Sequence, residues 1–413
     1  MTDEPAGATA PAQCDLAVIG AGVVGLAVAR ELSCRHPRLS VCVLERETRV
    51  GAHQSGHNSG VVHAGVYYPP GSLKARLCTS GARELYAYCA ERGIRHERCG
   101  KLIIATAADE LGRLEELERR GRANGVPGLR RLDAHEIGEL EPHARGLAAL
   151  HSPATGIADF AGVAAALADD VRGQGGTLVT DCAVRSVSTR PDRIALDHDH
   201  GTLQARHALF CAGLWADRLA VAAGAPPDPR IVPFRGAYLR LVPQRRHLVR
   251  SLIYPVPDPA LPFLGVHLTR HLSGDVLVGP TALLAGARDA YRQRRVRLAD
   301  VADTLAWPGS WRLFGRFWRT GLSELGHAVS VGALVGAAAR FVPQLRRQDA
   351  EPAWAGVRAQ ALGRDGRLVD DFVFSATARA LHVRNAPSPA ATSCLAIGRH
   401  IAAQAQDAFG LTR

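Results

Sequence analysis

The most informative residues form a glycine-rich turn near the amino terminus, Gly20-Ala21-Gly22-Val23-Val24-Gly25. Glycines allow a tight turn, and the backbone N–H groups of a helix that starts there stabilise a pyrophosphate. Glu45 ends the next apolar run about 20 residues further on, the spacing of a carboxylate that binds ribose hydroxyls. The motif therefore predicts a site for an ADP-containing dinucleotide, rather than a turn that binds nothing.

Two further segments indicate which dinucleotide is bound, since FAD and NAD both contain ADP. Residues 51–60, directly after the predicted ribose-binding acid, are rich in Gly, Ser, His and Asn. Such a segment can donate hydrogen bonds along an extended pyrophosphate and flavin. Residues 385–393 place small residues before the last predicted helix, where a helix amino terminus suits the negative charge of a reduced flavin. An ordinary helix cap is the alternative for this second segment. Together they favour FAD.

The elements that must position these residues alternate between strands and helices. Apolar runs at Cys14–Ile19 and Leu39–Leu44 predict buried parallel strands, with a helix at Val23–Cys34 between them. Residues 230–279 contain Pro-rich, aromatic-containing strands, which indicate an antiparallel sheet in a second domain. Residues 285–345 predict helices. The other predicted elements are a helix at about 73–92, a strand at 101–106, exposed charged helices over 109–147, strands at 177–187, 193–197 and 208–212, and a closing helix at about 391–409.

Composition limits the class of protein. At 413 residues the chain is too long for one compact core, and an apolar content of 47% excludes a disordered polymer. The formal net charge is +11, but the basic residues are scattered. We therefore expect no nucleic acid partner and favour an acidic substrate or an anionic membrane. The nine cysteines form no Cys-x-x-Cys pair, which predicts no metal site and fits a reducing compartment.

The amino-terminal residues and the apolar runs of the chain bear on its cellular location. Residues 1–13 read as a flexible tail and not as a secretory signal. No apolar run reaches the roughly 18 to 20 residues of a membrane span. We expect a cytoplasmic protein that does not cross a membrane but could contact its inner face. An aromatic cluster could lie on such a surface, although a buried helix is the favoured interpretation; it comprises Trp307, Trp311, Phe314, Phe317 and Trp318.

Longer runs resemble the corresponding regions of L-2-hydroxyglutarate dehydrogenases and oxidases. They occur in order from residue 14 to the last helix, and residues 285–350 match least well. The runs are 56–68, 72–75, 99–103, 229–236, 253–258, 262–267, 356–361 and 382–393. The resemblance implies an α/β fold of the D-amino-acid-oxidase type, with a Rossmann-like FAD-binding domain and a mixed or antiparallel-sheet substrate domain. It also implies oxidation of L-2-hydroxyglutarate to 2-oxoglutarate by hydride transfer from C2 to flavin N5.

The resemblance further implies that both domains are discontinuous in sequence. The expected FAD-binding pieces are 14–98, 151–228 and 351–413, and the expected substrate-domain pieces are 99–150 and 229–350. The residues expected to contact the cofactor are Gly20, Gly22, Val23, Val24, Gly25, Glu45, Arg46, Ser55, Asn58, Ser59, Gly60, Val184, Ala212, Gly213, Gly356, Pro387, Ser388, Ala390, Ala391 and Thr392.

Oxidation of a 2-hydroxy acid needs a base for the hydroxyl proton and cations for the carboxylates. Histidine suits the first role, because its unperturbed pKa is about 6.5. His63 is the first candidate and His267 the second, with a structural hydrogen bond as the alternative for each. Arginine suits the second role through its planar fork, and Arg235 and Arg358 are the predicted anchors. Lys101 and Arg384 are in reserve, and Tyr67, Tyr254, Tyr68 and Tyr238 are candidate hydroxyl donors.

Other functions remain open at this level. The nearest alternative is an FAD oxidoreductase of the same fold that acts on another 2-hydroxy acid, an amino acid or glycerol 3-phosphate. A non-catalytic flavin-binding redox sensor and an NAD-dependent dehydrogenase are alternatives from other classes. The electron acceptor, which could be oxygen, a quinone or an electron-transfer protein, does not follow from the sequence.

Overall fold

The computed structural model describes residues 9–259, 263–292, 294–317 and 330–411. Most of the predicted tail, Pro262 of one matching run and Trp318 of the aromatic cluster lie outside the described residues. The strands are β1 (Gln13–Ile19), β2 (Val41–Leu44), β3 (Val61–Val62), β4 (His96–Glu97), β5 (Lys101–Ala105), β6 (Arg130–Asp133), β7 (Ala148–Ser152), β8 (Gly156–Ala158), β9 (Thr177–Val179), β10 (Val184–Thr189), β11 (Ile194–His198), β12 (Gly201–Phe210), β13 (Arg230–Leu241), β14 (Leu252–Pro255), β15 (His267–Arg270), β16 (Val276–Gly279), β17 (Leu283–Leu284), β18 (Ala350–Leu362), β19 (Val373–Thr377) and β20 (Ala380–Asn385).

The helices lie between these strands and after them. They are α1 (Val23–Arg35), α2 (Leu73–Glu91), α3 (Leu111–Ala123), α4 (Ala134–Leu140), α5 (Phe160–Gly173), α6 (Ala216–Ala222), α7 (Leu298–Ala306), α8 (308–317, as far as it is described), α9 (Val331–Ala339) and α10 (Cys394–Phe409). A 3-10 turn at Gly213–Trp215 leads from β12 into α6.

An eight-stranded sheet carries the predicted dinucleotide motif. Its main order is β10-β11-β12-β1-β2-β9, and β20, with β19 beside it, pairs with the end of β12. β1 runs parallel to β2 and to β12, so the carboxyl ends of these three strands meet at one edge. Ligands of open α/β sheets bind at such an edge. Helix α1 packs against α5 and α10, which buries its apolar residues.

A nine-stranded sheet forms the second layer. Its order is β17-β13-β16-β15-β14-β5-β7-β6, and β18 pairs along β13. The pairs are antiparallel except for β14 with β5, so the predicted mixed or antiparallel substrate sheet is confirmed. The pairing of β18 adds residues 350–362 to this sheet, whereas the sequence assigned residues from 351 to the FAD-binding domain. The domain division as a whole stays a prediction.

A three-stranded sheet, β3-β8-β4, lies next to these two sheets. It fixes the end of β3, after which His63 follows directly. The prediction that residues 109–147 are helical was wrong in part, because they also contain β6 of the nine-stranded sheet. Of its four residues only Leu132 is buried, so the segment carries too little apolar pattern to predict a strand.

Candidate active site

A cavity of about 1080 Å³ lies between the carboxyl edge of the eight-stranded sheet and one face of the nine-stranded sheet. Pockets for small ligands are roughly 300 to 1,000 Å³, so this cavity has room for more than a five-carbon acid. Residues 20–25 line one part of it, which we call the dinucleotide end. The other part, the reacting end, is lined by His63, Tyr67, Tyr238, Tyr254, His267, Arg358 and Ser388.

The dinucleotide end depends on close backbone packing. A Cβ atom on Gly25 would lie 2.0 Å from the Gly20 carbonyl oxygen, and one on Gly20 would lie 2.5 Å from the Cys211 carbonyl oxygen. Gly20 also has a φ of 105°, in the left-handed region that favours glycine. Gly22 precedes α1 without a side-chain cap of its own. Gly22, Val23 and Val24 line the cavity, so the start of α1 faces it, and there its N–H groups and dipole favour an anion.

Polar side chains hold this turn in place. The Ser55 hydroxyl accepts a hydrogen bond from the Val23 N–H at 3.0 Å. One carboxylate oxygen of Glu45 accepts from the Ala21 N–H at 2.7 Å. Burial raises the pKa of Glu45. Each carboxylate oxygen can accept more than one hydrogen bond, so Glu45 can hold the turn and still bind a ribose.

A cluster of rings and charges adjoins the dinucleotide end, and the sequence did not predict it. The guanidinium of Arg46 lies 4.0 Å from the centre of the Trp215 ring. The His53 ring lies 2.8 Å from a Glu47 carboxylate oxygen and 3.2 Å from the Tyr291 hydroxyl. Trp215 and Tyr291 lie far along the chain from Arg46 and His53, so no local pattern signals these two contacts.

His63 is placed by β3 and by the segment before α10. The backbone N–H of His63 donates to the Thr392 hydroxyl at 3.1 Å. The ring Nε2 atom of His63 lies 3.3 Å from the Ser388 hydroxyl. Burial and then the nearby charge of Lys101 hold the pKa of His63 well below its usual value. His63 is therefore a neutral imidazole that lines the cavity.

His267 is placed by the nine-stranded sheet. Its Nδ1 lies 2.9 Å from the Gly265 carbonyl oxygen, which can only accept. Nδ1 therefore carries the proton, and Nε2 keeps a lone pair. The ring stacks on Tyr254 at a centroid distance of 4.1 Å. Burial lowers the pKa of His267 to about 3.

Arg358 lies on β18 opposite Phe234 of β13. Its guanidinium is 5.3 Å from the Phe263 ring centre. Burial raises the pKa of Tyr238, and the nearby charge of Arg358 partly offsets that rise. Arg358 lines the cavity and forms no salt bridge within the described part of the chain. It is thus a cation with capacity left for a ligand carboxylate.

Three residues proposed from the sequence do not line the cavity: Arg235, Gly60 and the reserve candidate Lys101. Arg235 lies opposite Val357 and Leu283. Because side chains alternate along a strand, Arg235 faces away from Gly236 and the cavity, and its predicted role as an anchor is not supported. Gly60 packs near Ala158 and His271 instead. All the other predicted cofactor, histidine, arginine and tyrosine residues line the cavity.

Three comparisons with known proteins agree with this geometry. A family model described as FAD dependent oxidoreductase matches residues 15–404. The chain is 47% identical to the mitochondrial L-2-hydroxyglutarate dehydrogenase of Nematostella vectensis, over 96% of this chain and 91% of that protein. It is 45% identical to the human mitochondrial L-2-hydroxyglutarate dehydrogenase, over 96% and 89%. It is 41% identical to the L-2-hydroxyglutarate dehydrogenase of Escherichia coli K12, over 95% and 93%.

Solved structures show the same fold at lower identity. L-alpha-glycerophosphate oxidase from Mycoplasma pneumoniae, with FAD bound, has a TM-score of 0.78 at 23% identity and covers 97% of this chain and 95% of that one. Glycine oxidase from Geobacillus kaustophilus has a TM-score of 0.70 at 22% identity, with coverage of 95% and 94%. The predicted D-amino-acid-oxidase-like fold is confirmed.

The chain belongs to the FAD-dependent oxidoreductase family. Within it, the identities to curated relatives over nearly the whole chain place it among the L-2-hydroxyglutarate dehydrogenases.

The residues at the dinucleotide end fit FAD. The first residues of α1 and Arg46 line the cavity, and Glu45 can accept further hydrogen bonds. The cavity continues to His63 and Ser388, so one long ligand can extend from the glycine turn to the reacting end. Among the described residues, no cluster of His, Cys, Asp and Glu could hold a metal ion.

Proposed function

We propose that this protein oxidises L-2-hydroxyglutarate to 2-oxoglutarate with FAD. The observation that carries the proposal is the reacting end itself, where neutral His63 and His267 share a cavity with Arg358 and with the dinucleotide turn. The 41–47% identity to L-2-hydroxyglutarate dehydrogenases supports this substrate. FAD, when bound, supplies N5 as the acceptor of the hydride from C2.

The protein's own residues bind the acid and remove one proton. We assign the base to His63, with His267 as the alternative, because a neutral imidazole can accept the hydroxyl proton while the C2 hydride leaves and C2=O forms. The Ser388 hydroxyl orients the His63 ring. Arg358 binds one carboxylate, and Tyr238 lines the same part of the cavity. Tyr67 and Tyr254 form the wall of the pocket and exclude water.

An anaerobic titration tests the proposal. We expect L-2-hydroxyglutarate to bleach the flavin absorbance of the purified yellow protein with one equivalent per flavin. The D-enantiomer, L-lactate, glycine and glycerol 3-phosphate should bleach it at least a hundredfold more slowly. Bleaching by one of these and not by L-2-hydroxyglutarate would overturn the proposal. Loss of the flavin spectrum in all preparations would instead favour a nicotinamide enzyme.

The electron acceptor is a separate question, which the same titration addresses. After anaerobic reduction, oxygen is admitted, and then a soluble quinone is added to a second sample. Reoxidation by oxygen within seconds identifies an oxidase. Reoxidation by the quinone alone identifies a dehydrogenase that feeds a quinone pool.

We also propose that α7 and α8 carry a peripheral membrane contact. No helix in the described part of the chain is long and apolar enough to cross a bilayer. Leu298 and Leu305 are exposed on α7 two helical turns apart, and the indole N–H of Trp311 donates to the Leu305 carbonyl oxygen. Trp307 is buried, so the buried-helix interpretation holds for that residue and not for Trp311. An exposed apolar stripe with basic residues nearby suits an anionic bilayer.

Co-sedimentation with vesicles of phosphatidylcholine and phosphatidylglycerol tests this contact, and cell fractionation tests the predicted cytoplasmic, inner-face location. Leu298→Asp should abolish sedimentation with anionic vesicles. Val221→Asp changes an exposed apolar residue on α6 and should leave it intact. Equal sedimentation of wild type and both variants would contradict the proposal.

A further inference from the structure

Lys101 is a buried cation close to the reacting end. Lys101 is 1% exposed. It lies on the same face of β5 as Ile103, which packs in a hydrophobic cluster with Tyr254. Its Nζ atom lies 4.5 Å from the centre of the Tyr67 ring and 4.9 Å from that of Tyr254. Both rings line the cavity, whereas Lys101 lies behind them.

Lys101 differs from other buried cations in how its charge is balanced. Arg288 is paired with Asp217, and Lys74 donates to Asp370 at 2.7 Å. No carboxylate of the described residues forms a salt bridge with Lys101. Tyrosine faces attract a cation but offset only part of the cost of burying it. The substrate of the proposed function carries two negative charges and enters on the other side of the same two rings.

We propose that Lys101 is a proton-linked counter-charge for the dicarboxylate: it attracts the bound acid across Tyr67 and Tyr254, and it takes up a proton when the acid binds. This inference rests on the proposed function. Lys101 does not touch the cavity, so it is a positioning residue and not a catalytic one.

The titratable groups around Lys101 have pKa values well away from its own, so its protonation can be measured separately. Burial lowers the pKa of Lys101 to about 7. Burial lowers the pKa values of His63 and His267 below 6.5 and raises those of Tyr67 and Tyr254 above 10. Burial also raises the pKa of the Cys78 thiol to about 12. Lys74 and Arg358 add positive charge to this region, since their charges lower the pKa values of His63 and His267 further.

The consequence has a definite sign. Below pH 7 Lys101 is already an ammonium, so a dianion binds without proton uptake. Above pH 7 the free protein holds a neutral amine, and the dianion raises the pKa of that amine and draws in a proton. By linkage, affinity should then fall by up to about tenfold for each pH unit above 7.

Calorimetry of the oxidised holoenzyme tests the inference. 2-Oxoglutarate, which leaves oxidised flavin unreacted, is titrated at pH 6 and pH 8 in two buffers of different ionisation enthalpy. We expect uptake of nearly one proton per bound ligand at pH 8 and almost none at pH 6. Uptake near zero at pH 8, or absence of binding, would overturn the inference even where L-2-hydroxyglutarate reduces the flavin. Absence of that reduction would instead count against the proposed function.

Variants identify the group that takes up the proton. Lys101→Met should bind the ligand at least tenfold more weakly at pH 6 and show no uptake at pH 8. Lys101→Arg keeps a permanent charge and should bind equally at both pH values, also without uptake. Lys74→Met removes a neighbouring buried lysine and should retain the uptake. Proton uptake that persists in Lys101→Met would show that another group takes up the proton, and it would refute the proposal. The wild-type measurement decides the matter if the variants fail to fold.

Discussion

At the scale of single residues, two arginines that the sequence ranked equally differ in position. Arg235 and Arg358 lie on paired strands, β13 and β18, one register step apart. Strand alternation directs Arg358 towards the cavity and Arg235 away from it. The pair therefore provides a test of the substrate anchor in which each variant controls for the other.

We predict that Arg358→Met raises KM for L-2-hydroxyglutarate by at least tenfold, since a charge-assisted hydrogen bond to a carboxylate contributes about 1.5 to 3 kcal/mol. Arg235→Met should leave KM within about twofold, although loss of a half-buried side chain can lower the melting temperature. Steady-state kinetics with both variants at saturating FAD measures this. Equal KM values for the two variants would contradict the assignment.

The two histidines allow a second test. We predict that His63→Asn lowers kcat by about 10² to 10⁴, as expected on loss of a general base, while His267→Asn has the smaller effect. Because the pKa values of both rings lie below 6.5, the base is unprotonated at neutral pH. The acid limb of kcat/KM should therefore lie below pH 6.5. A larger loss in His267→Asn would exchange the two roles.

At the scale of elements, the β1-α1-β2 unit depends on backbone contacts that leave no room for a side chain. We predict that Gly25→Ala, with its Cβ 2.0 Å from the Gly20 carbonyl oxygen, displaces the start of α1 and yields protein with little bound FAD. Gly112→Ala is the matched control, because a Cβ on this α3 residue meets nothing within 4 Å. The control should keep its FAD and gain up to about 1 kcal/mol of stability. Flavin absorbance per protein and the melting temperature report both outcomes.

At the scale of the whole molecule, a buried ion-pair network joins the two large sheets. Arg288 binds Asp217 of α6 through both terminal nitrogens and donates to the Leu214 carbonyl oxygen at 2.6 Å. Asp217 also accepts from the Ile231 N–H at 3.1 Å, at the start of β13. The network thus fixes the turn after β12, which lines the dinucleotide end, against the strand that carries the substrate face.

We predict that Arg288→Met lowers the free energy of unfolding by about 3 to 5 kcal/mol, because it leaves a buried carboxylate unpaired. Arg240→Met is the control. Its salt bridge to Glu351, at 2.8 Å, joins two half-exposed side chains, so its loss should cost at most about 1 kcal/mol. Urea unfolding at fixed FAD concentration compares them. Similar losses in the two variants would show that the buried network does not hold the sheets together.

The dinucleotide unit could be predicted from the sequence alone, because its signals are local. An apolar strand, a glycine turn, a helix and an acid at fixed spacing specify one chain geometry, and β1, α1 and β2 lie close to the predicted bounds. The same kind of pattern indicated the second sheet and the final helix. The sequence did not reveal β6, because its mostly exposed residues show no alternation of apolar and polar side chains. It also did not reveal the contacts of Arg46 with Trp215 and of His53 with Tyr291, which join distant segments.

Which charged residues face the cavity follows from the tertiary structure and not from the sequence. Sequence supplies the residue type, but the face of a strand and the partner across a sheet depend on pairing register. That register directs Arg235 away from the cavity and Arg358 into it. It also places Lys101, a reserve candidate in the sequence, behind the two tyrosines that line the pocket. Burial between distant strands then sets the charge of Lys101 and of both histidines, and no linear pattern records that burial.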